Sequence, residues 1–140
     1  MADIICVSGG FDPLHSGHLN YIKDAACYGR VVVILNSDEW LVRKKGYCLL
    51  PWNDRAYILS ELRDVSLVVH VEDSDDSVCK ALQAIRPRFF ANGGDRKEET
   101  KNSKESALCE KLSIMQIFNI GGRKTQSSSD VVRAACRQMN

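Results

Sequence analysis

A doubly wound α/β fold around a parallel sheet is what this sequence predicts, and three observations predict it. Short apolar runs rich in β-branched residues alternate along the chain with segments of helical period. One of them, VVVIL at 31–35, is apolar at every position instead of alternating, as a strand covered on both faces should be. The glycine-rich and polar segments GGFDPLHSGH, NSD, NGGD and GGRKTQSSSD each follow a strand-like run, and the carboxyl ends of the strands are where ligands bind in such sheets.

The elements follow in order. IICV at 4–7 is the first strand, and a helix over 17–28 carries Leu19, Ile22 and Ala26 on one face. After the second strand at 31–35, Asn53 is the expected cap of a helix bearing Ile58, Leu59 and Leu62. Residues 67–71 make a third strand. Val78, Ala81, Leu82 and Ile85 then form a helical stripe behind the acidic cap Asp75, Asp76 and Ser77. Pro87 ends that helix, and 88–91 is a short fourth strand. A helix over 106–112 and a fifth strand over 115–120 follow, and Ser127, Ser128, Ser129 and Asp130 cap a last helix through Val131, Val132 and Ala135. The stretch DRKEETKNSKE at 95–105 reads as a charged flap. With right-handed crossovers these elements give one five-stranded domain over residues 1–140.

Bulk properties narrow the function. A net charge of +1 and a pI near 7.6 provide no global field to recruit nucleic acid or a membrane, so any attraction for anions has to be local. No apolar run approaches the roughly 18 residues of a membrane span, and MADIICVSGG has no signal-peptide pattern, so a cytoplasmic protein is expected. The six cysteines, at 6, 27, 48, 79, 109 and 136, include no Cys-x-x-Cys pair; reduced, mostly buried thiols are expected rather than disulfides or a metal site.

The chemistry gathers after the first strand. Gly9 and Gly10 would open backbone N–H groups to a ligand, and the helix start behind them offers its positive end to an anion. His15 and His18, three apart, straddle that start. Neither G-x-G-x-x-G nor G-x-x-x-x-G-K-[ST] is present, which disfavours dinucleotides and P-loop chemistry. What remains is phosphate chemistry served by imidazoles. His70 reads as structural, and Trp40 and Trp52 as core or lid packing.

GGFDPLHSGH resembles the G-x-F-D-x-x-H-x-G-H signature of the cytidylyltransferase-like nucleotidyltransferases, and the resemblance extends over nearly the whole chain. VRKKG at 42–46, Asn53-Asp54-Arg55, NGGD at 92–95 and SSSD at 127–130 fall where that family has its other elements. The chain is similar to bacterial glycerol-3-phosphate cytidylyltransferases. Through NSD, Lys45-Gly46 and GGD it is also similar to the adenylyltransferases that make ADP-heptose.

The resemblance implies a Rossmann-like domain in which a substrate phosphate attacks the α-phosphorus of CTP or ATP and pyrophosphate leaves. It implies catalytic roles for His15, His18, Lys45 and Arg55, and nucleotide contacts at Gly9, Gly10, Phe11, Gly93, Asp95, Ser127, Ser128 and Ser129. Arg123 or Lys124 would lie near the base, and Asp12 and Lys44 near the phosphorylated substrate. Mg²⁺ is expected to accompany the triphosphate, and similar enzymes are often homodimers. The first expectation is CTP with a small phosphorylated alcohol of the glycerol 3-phosphate type. The alternatives are ATP with a sugar 1-phosphate, or a nucleotide-binding protein that kept the fold without the activity.

Overall fold

Each predicted strand is present in the computed structural model, which describes residues 3–93, 103–122 and 127–139. The strands are β1 (Ile4–Gly9), β2 (Arg30–Leu35), β3 (Val65–His70), β4 (Phe89–Gly93) and β5 (Met115–Ile120). They form one sheet in the order β3-β2-β1-β4-β5, with every pair parallel. The order reverses between β1 and β4, so the crevice expected to receive a ligand opens beyond the carboxyl ends of those two strands.

Among the described residues six helices cover the sheet: α1 (Ser16–Ala25), α2 (Asp38–Lys45), α3 (Trp52–Ser60), α4 (Cys79–Ile85), α5 (Lys104–Leu112) and α6 (Ser128–Met139). Successive residues of the central strands serve opposite faces, and both faces are apolar. Ile5, Val7, Val31, Val33 and Leu35 pack with Ile22 and Ala25 of α1 and Leu59 of α3. Cys6, Val32, Ile34 and Phe90 pack with Ala81 and Leu82 of α4 and Cys109 of α5. Double coverage removes the polar alternation that a half-exposed strand would show, which explains the unbroken VVVIL.

Several boundaries differ from the sequence reading. VRKKG, to which the sequence reading assigns no element, is helical: residues 42–45 are the last half of α2, and Gly46 closes it in the left-handed region at φ 86°. Asn53 is not a cap, because α3 begins one residue earlier, behind Pro51, whose fixed φ suits a helix start. The acidic triplet does not cap α4, whose start lies behind Val78; Asp75 instead accepts from the N–H and hydroxyl of Ser77. Lys104 and Glu105, expected in the charged flap, are the first turn of α5, capped by the Ser103 hydroxyl. Residues 95–102 of that flap lie outside the described residues. His70 is structural as expected, stacked on Trp52 with ring centroids 3.5 Å apart.

All six cysteines are free thiols, but only Cys6 and Cys109 are buried; Cys27 and Cys136 are exposed. Burial pushes the Cys6 thiol up to about 12 and that of Cys109 up to about 11. Alkylation of the native protein at mildly basic pH should therefore modify Cys27 and Cys136 readily and spare Cys6 and Cys109 until the chain unfolds, which peptide mass mapping would read. Because both buried thiols stay protonated where the unfolded ones ionise, their contribution to stability is complete below about pH 9 and declines as the pH rises toward 11–12.

Candidate active site

The segment joining β1 to α1 is held from three sides. Asn36 N–H donates to the Gly9 carbonyl at 3.0 Å. Phe11 sits in the left-handed region at φ 49°, a costly conformation for a bulky residue, and is almost fully buried with its ring 4.9 Å from that of His18. The space beside each glycine belongs to the protein. A Cβ on Gly9 would lie 3.2 Å from the Phe11 ring, and one on Gly10 would lie 2.5 Å from a methyl of the buried Leu41. A side chain at either position would therefore collide with the protein's own Phe11 or Leu41, which is one physical reason for glycine at both.

The two histidines form the start of α1. His15 is its N-cap, and its Nδ1 accepts from the Gly17 N–H at 3.1 Å; the Nδ1 of His18 accepts in return from the His15 N–H at 3.2 Å. This is a capping box built from imidazoles rather than hydroxyl and carboxylate. The rings stack with centroids 3.9 Å apart. Since each Nδ1 is an acceptor, the proton of each neutral ring is on Nε2. The helix cap thus turns both residues into oriented Nε2–H donors.

The other end of the chain arrives at the same place. The Ser128 hydroxyl, buried, donates to the Pro13 carbonyl at 2.8 Å, pinning the start of α6 to the histidine segment. Ser127 caps α6 by accepting from the Asp130 N–H at 3.1 Å. Asp24 of α1 accepts from the Gly121 N–H at 2.9 Å, and the Tyr21 hydroxyl donates to the Ala91 carbonyl at 3.0 Å, so α1 holds the ends of β4 and β5 as well. The start of α6 is thereby fastened to the loop that leads into the paired imidazoles of α1, and each helix N-terminus favours negative charge. The Ser128 hydroxyl gives its proton to Pro13, whereas the Ser127 hydroxyl accepts from Asp130 and keeps its own O–H to donate; with the half-buried Ser129 and the first-turn amides, that is what this end offers an anion.

Asp12 and Arg55 have structural posts. Asp12 is fully buried, and its two oxygens accept from Leu49 N–H at 2.6 Å and Leu50 N–H at 3.0 Å. The Arg55 side chain is also buried. It donates to the carbonyls of Leu50 at 2.8 Å, Gly10 at 2.9 Å and Asn36 at 2.9 Å, and to the Asp38 carboxylate at 2.5 Å. Both residues join the β1 loop to the segment between α2 and α3, and their side-chain contacts here are with the protein itself. Replacing Asp12 with asparagine puts an amide donor against a backbone N–H and should lower unfolding free energy by about 2–3 kcal/mol in urea titration.

Lys44 and Lys45 close α2, where cations suit the helix's negative end. The Lys44 ammonium is exposed and lies 5.9 Å from the Trp40 ring centroid. Gly93 ends β4, beside Ile120 of β5. Asp95, Arg123 and Lys124 lie outside the described residues. Asp73 was not anticipated from sequence. Its buried carboxylate accepts from Asn36 Nδ2 at 3.0 Å, Ser37 N–H at 2.9 Å and Ser37 Oγ at 2.6 Å, fixing the start of α2. Nothing local to the run VEDSDD marks which of its acids does this.

Among the described residues no three His, Cys, Asp or Glu side chains gather to hold a metal, and both Asp12 oxygens are buried against backbone N–H groups. These residues do not fit a protein-built magnesium site.

The sequence profile described as cytidylyltransferase-like matches residues 6–134. The chain belongs to the cytidylyltransferase-like family. The expected nucleotidyltransferase class is borne out with it. Curated relatives include the bifunctional protein HldE of Aliarcobacter butzleri, 30% identical over 89% of this chain, and that of Geobacter metallireducens, 30% identical over 94%. The Helicobacter pylori HldE is 37% identical over 66% of this chain. This cytidylyltransferase-like chain spans 26%, 27% and 20% of the length of those three proteins, about a quarter. A crystal structure of the lipopolysaccharide core biosynthesis protein from Thermoplasma volcanium superposes with a TM-score of 0.72 at 26% identity, covering 89% of this chain and all of that one. No helix among the described residues is long and apolar enough to cross a membrane.

Proposed function

We propose that this cytidylyltransferase-like domain transfers AMP from ATP to a sugar 1-phosphate of the heptose type, releasing pyrophosphate. The observation that carries nucleotidyl transfer is the Ser128–Pro13 hydrogen bond, which sets the α6 N-terminus beside the paired imidazoles of α1. The HldE relatives and the lipopolysaccharide core biosynthesis structure favour ATP and a sugar phosphate over the first expectation of CTP and glycerol 3-phosphate.

In the reaction a phosphate oxygen of the sugar 1-phosphate attacks the α-phosphorus in line, and the bond from that phosphorus to the bridging oxygen of pyrophosphate breaks. Negative charge builds on the α-phosphoryl oxygens and on the leaving group. The Nε2–H groups of His15 and His18 donate to those oxygens, and the first-turn amides of α1 and α6 complement the rest, already oriented before the nucleotide arrives. Lys44 and Lys45 add charge at the mouth. A Mg²⁺ would enter as part of the nucleotide complex, held by phosphates.

The test is pyrophosphate release by the purified chain with ATP or CTP against a panel of sugar 1-phosphates and glycerol 3-phosphate. Turnover with ATP and a sugar 1-phosphate is expected. Turnover only with CTP and glycerol 3-phosphate would restore the first expectation, and no turnover with any pair would overturn the reading.

A further inference from the structure

Polar contacts, more than packing, place the helix α2. Its eight residues bury one side chain, that of Leu41, and a helix so short has little stability of its own. The loop over residues 71–78, between β3 and α4, grips it at both ends. At the start, the buried Asp73 carboxylate accepts from the N–H and hydroxyl of Ser37 and from Asn36 Nδ2. At the last turn, Arg43 reaches back and donates to the Asp73 carbonyl at 2.8 Å and to the Asp76 carboxylate at 3.0 Å. Asn36 carries the contact inward: its N–H donates to the Gly9 carbonyl and its own carbonyl accepts from Arg55.

We propose, resting on the transfer reaction given above, that Asp73 is a positioning residue for it. By holding α2 at both ends, Asp73 sets where Lys44 and Lys45 stand relative to the paired imidazoles of α1. Asn36 and Ser37, which it grips, directly follow β2 at the carboxyl edge of the sheet, where the crevice opens. A misplacement of about 1 Å between a charged group and a reacting phosphate costs up to roughly a hundredfold in rate. Once released, α2 keeps only its Leu41 contact to restore its place.

Pyrophosphate-release kinetics and fluorescence quenching test this together. Asp73→Ala should lower kcat/KM by about tenfold or more at a temperature where circular dichroism shows the chain folded. Asp73→Asn should recover most of that loss: its Oδ1 can accept from Asn36 and the Ser37 N–H while its Nδ2 donates to the Ser37 hydroxyl. Arg43→Gln, which releases the last turn alone, should act in the same direction as Asp73→Ala and supplies the reading if that variant fails to fold. In a chain already carrying Lys44→Ala and Lys45→Ala, Asp73→Ala should add little, a non-additivity that a merely structural role does not produce. Independently of any substrate, acrylamide should quench Trp40 more strongly in Asp73→Ala than in its parent, both carrying Trp52→Phe so that Trp40 is the one tryptophan. A wild type without turnover would sink the transfer reading and leave the quenching to decide on Asp73. Unchanged kcat/KM in Asp73→Ala, full additivity with the lysine variants, or unchanged Trp40 quenching would each overturn the proposal.

Discussion

Replacing Arg55 with methionine is expected to destabilise the fold by about 3–5 kcal/mol, the range measured when one partner of a buried charged network is removed. Methionine fills the volume but leaves the Leu50, Gly10 and Asn36 carbonyls without their donor and Asp38 without its cation. Against a typical total of about 5–15 kcal/mol, that loss leaves many domains of this size near their threshold. Urea unfolding followed by tryptophan fluorescence measures it, because Trp40 and Trp52 lie in the α2 and α3 helices that the guanidinium holds in place. Arg55→Lys separates this role from the catalytic one that the family resemblance implied. One ammonium cannot span three carbonyls and a carboxylate, so lysine should also be destabilising. A lysine variant of full stability and lost turnover would return Arg55 to the substrate.

His18→Asn is expected to lower turnover by roughly 10²–10³-fold, the loss that follows removal of one preorganised donor. Asparagine keeps an acceptor for the His15 N–H, so the start of α1 stays capped. His18→Ala removes both functions and should add a stability loss of about 1 kcal/mol to the same rate defect. Pyrophosphate release paired with thermal unfolding distinguishes the two. Equal stability in both variants would mean that the imidazole cap contributes nothing, and undiminished turnover in either would remove His18 from the chemistry.

The sheet was legible because burial on both faces leaves unbroken apolar runs, and β2 reads from VVVIL alone. The helix α2 was not, since DEWLVRKK buries only Leu41 and reads as a polar, charged stretch. The histidine pair was legible from its spacing, but its hydrogen bonding was not: nothing in H-x-x-H says that each Nδ1 faces a backbone amide. Asp12 and Arg55 stood out in the sequence as site candidates, and the structure shows them held by backbone groups of Leu49, Leu50, Gly10 and Asn36. A peptide group has the same donor and acceptor in every residue but proline, so sequence carries no mark of such a partner. Asp73 was missed for the same reason.

The bond from Ser128 to Pro13 spans 115 positions of the chain. A contact of that sequence separation cannot form until the late residues of the chain are available, and pairings of long separation slow folding. A nascent polypeptide that has exposed the first four strands would carry its imidazoles without the counterpart that completes their pocket. Affinity for nucleotide should then appear abruptly as residues near 128 emerge during translation, so a partly synthesised chain would not sequester substrate.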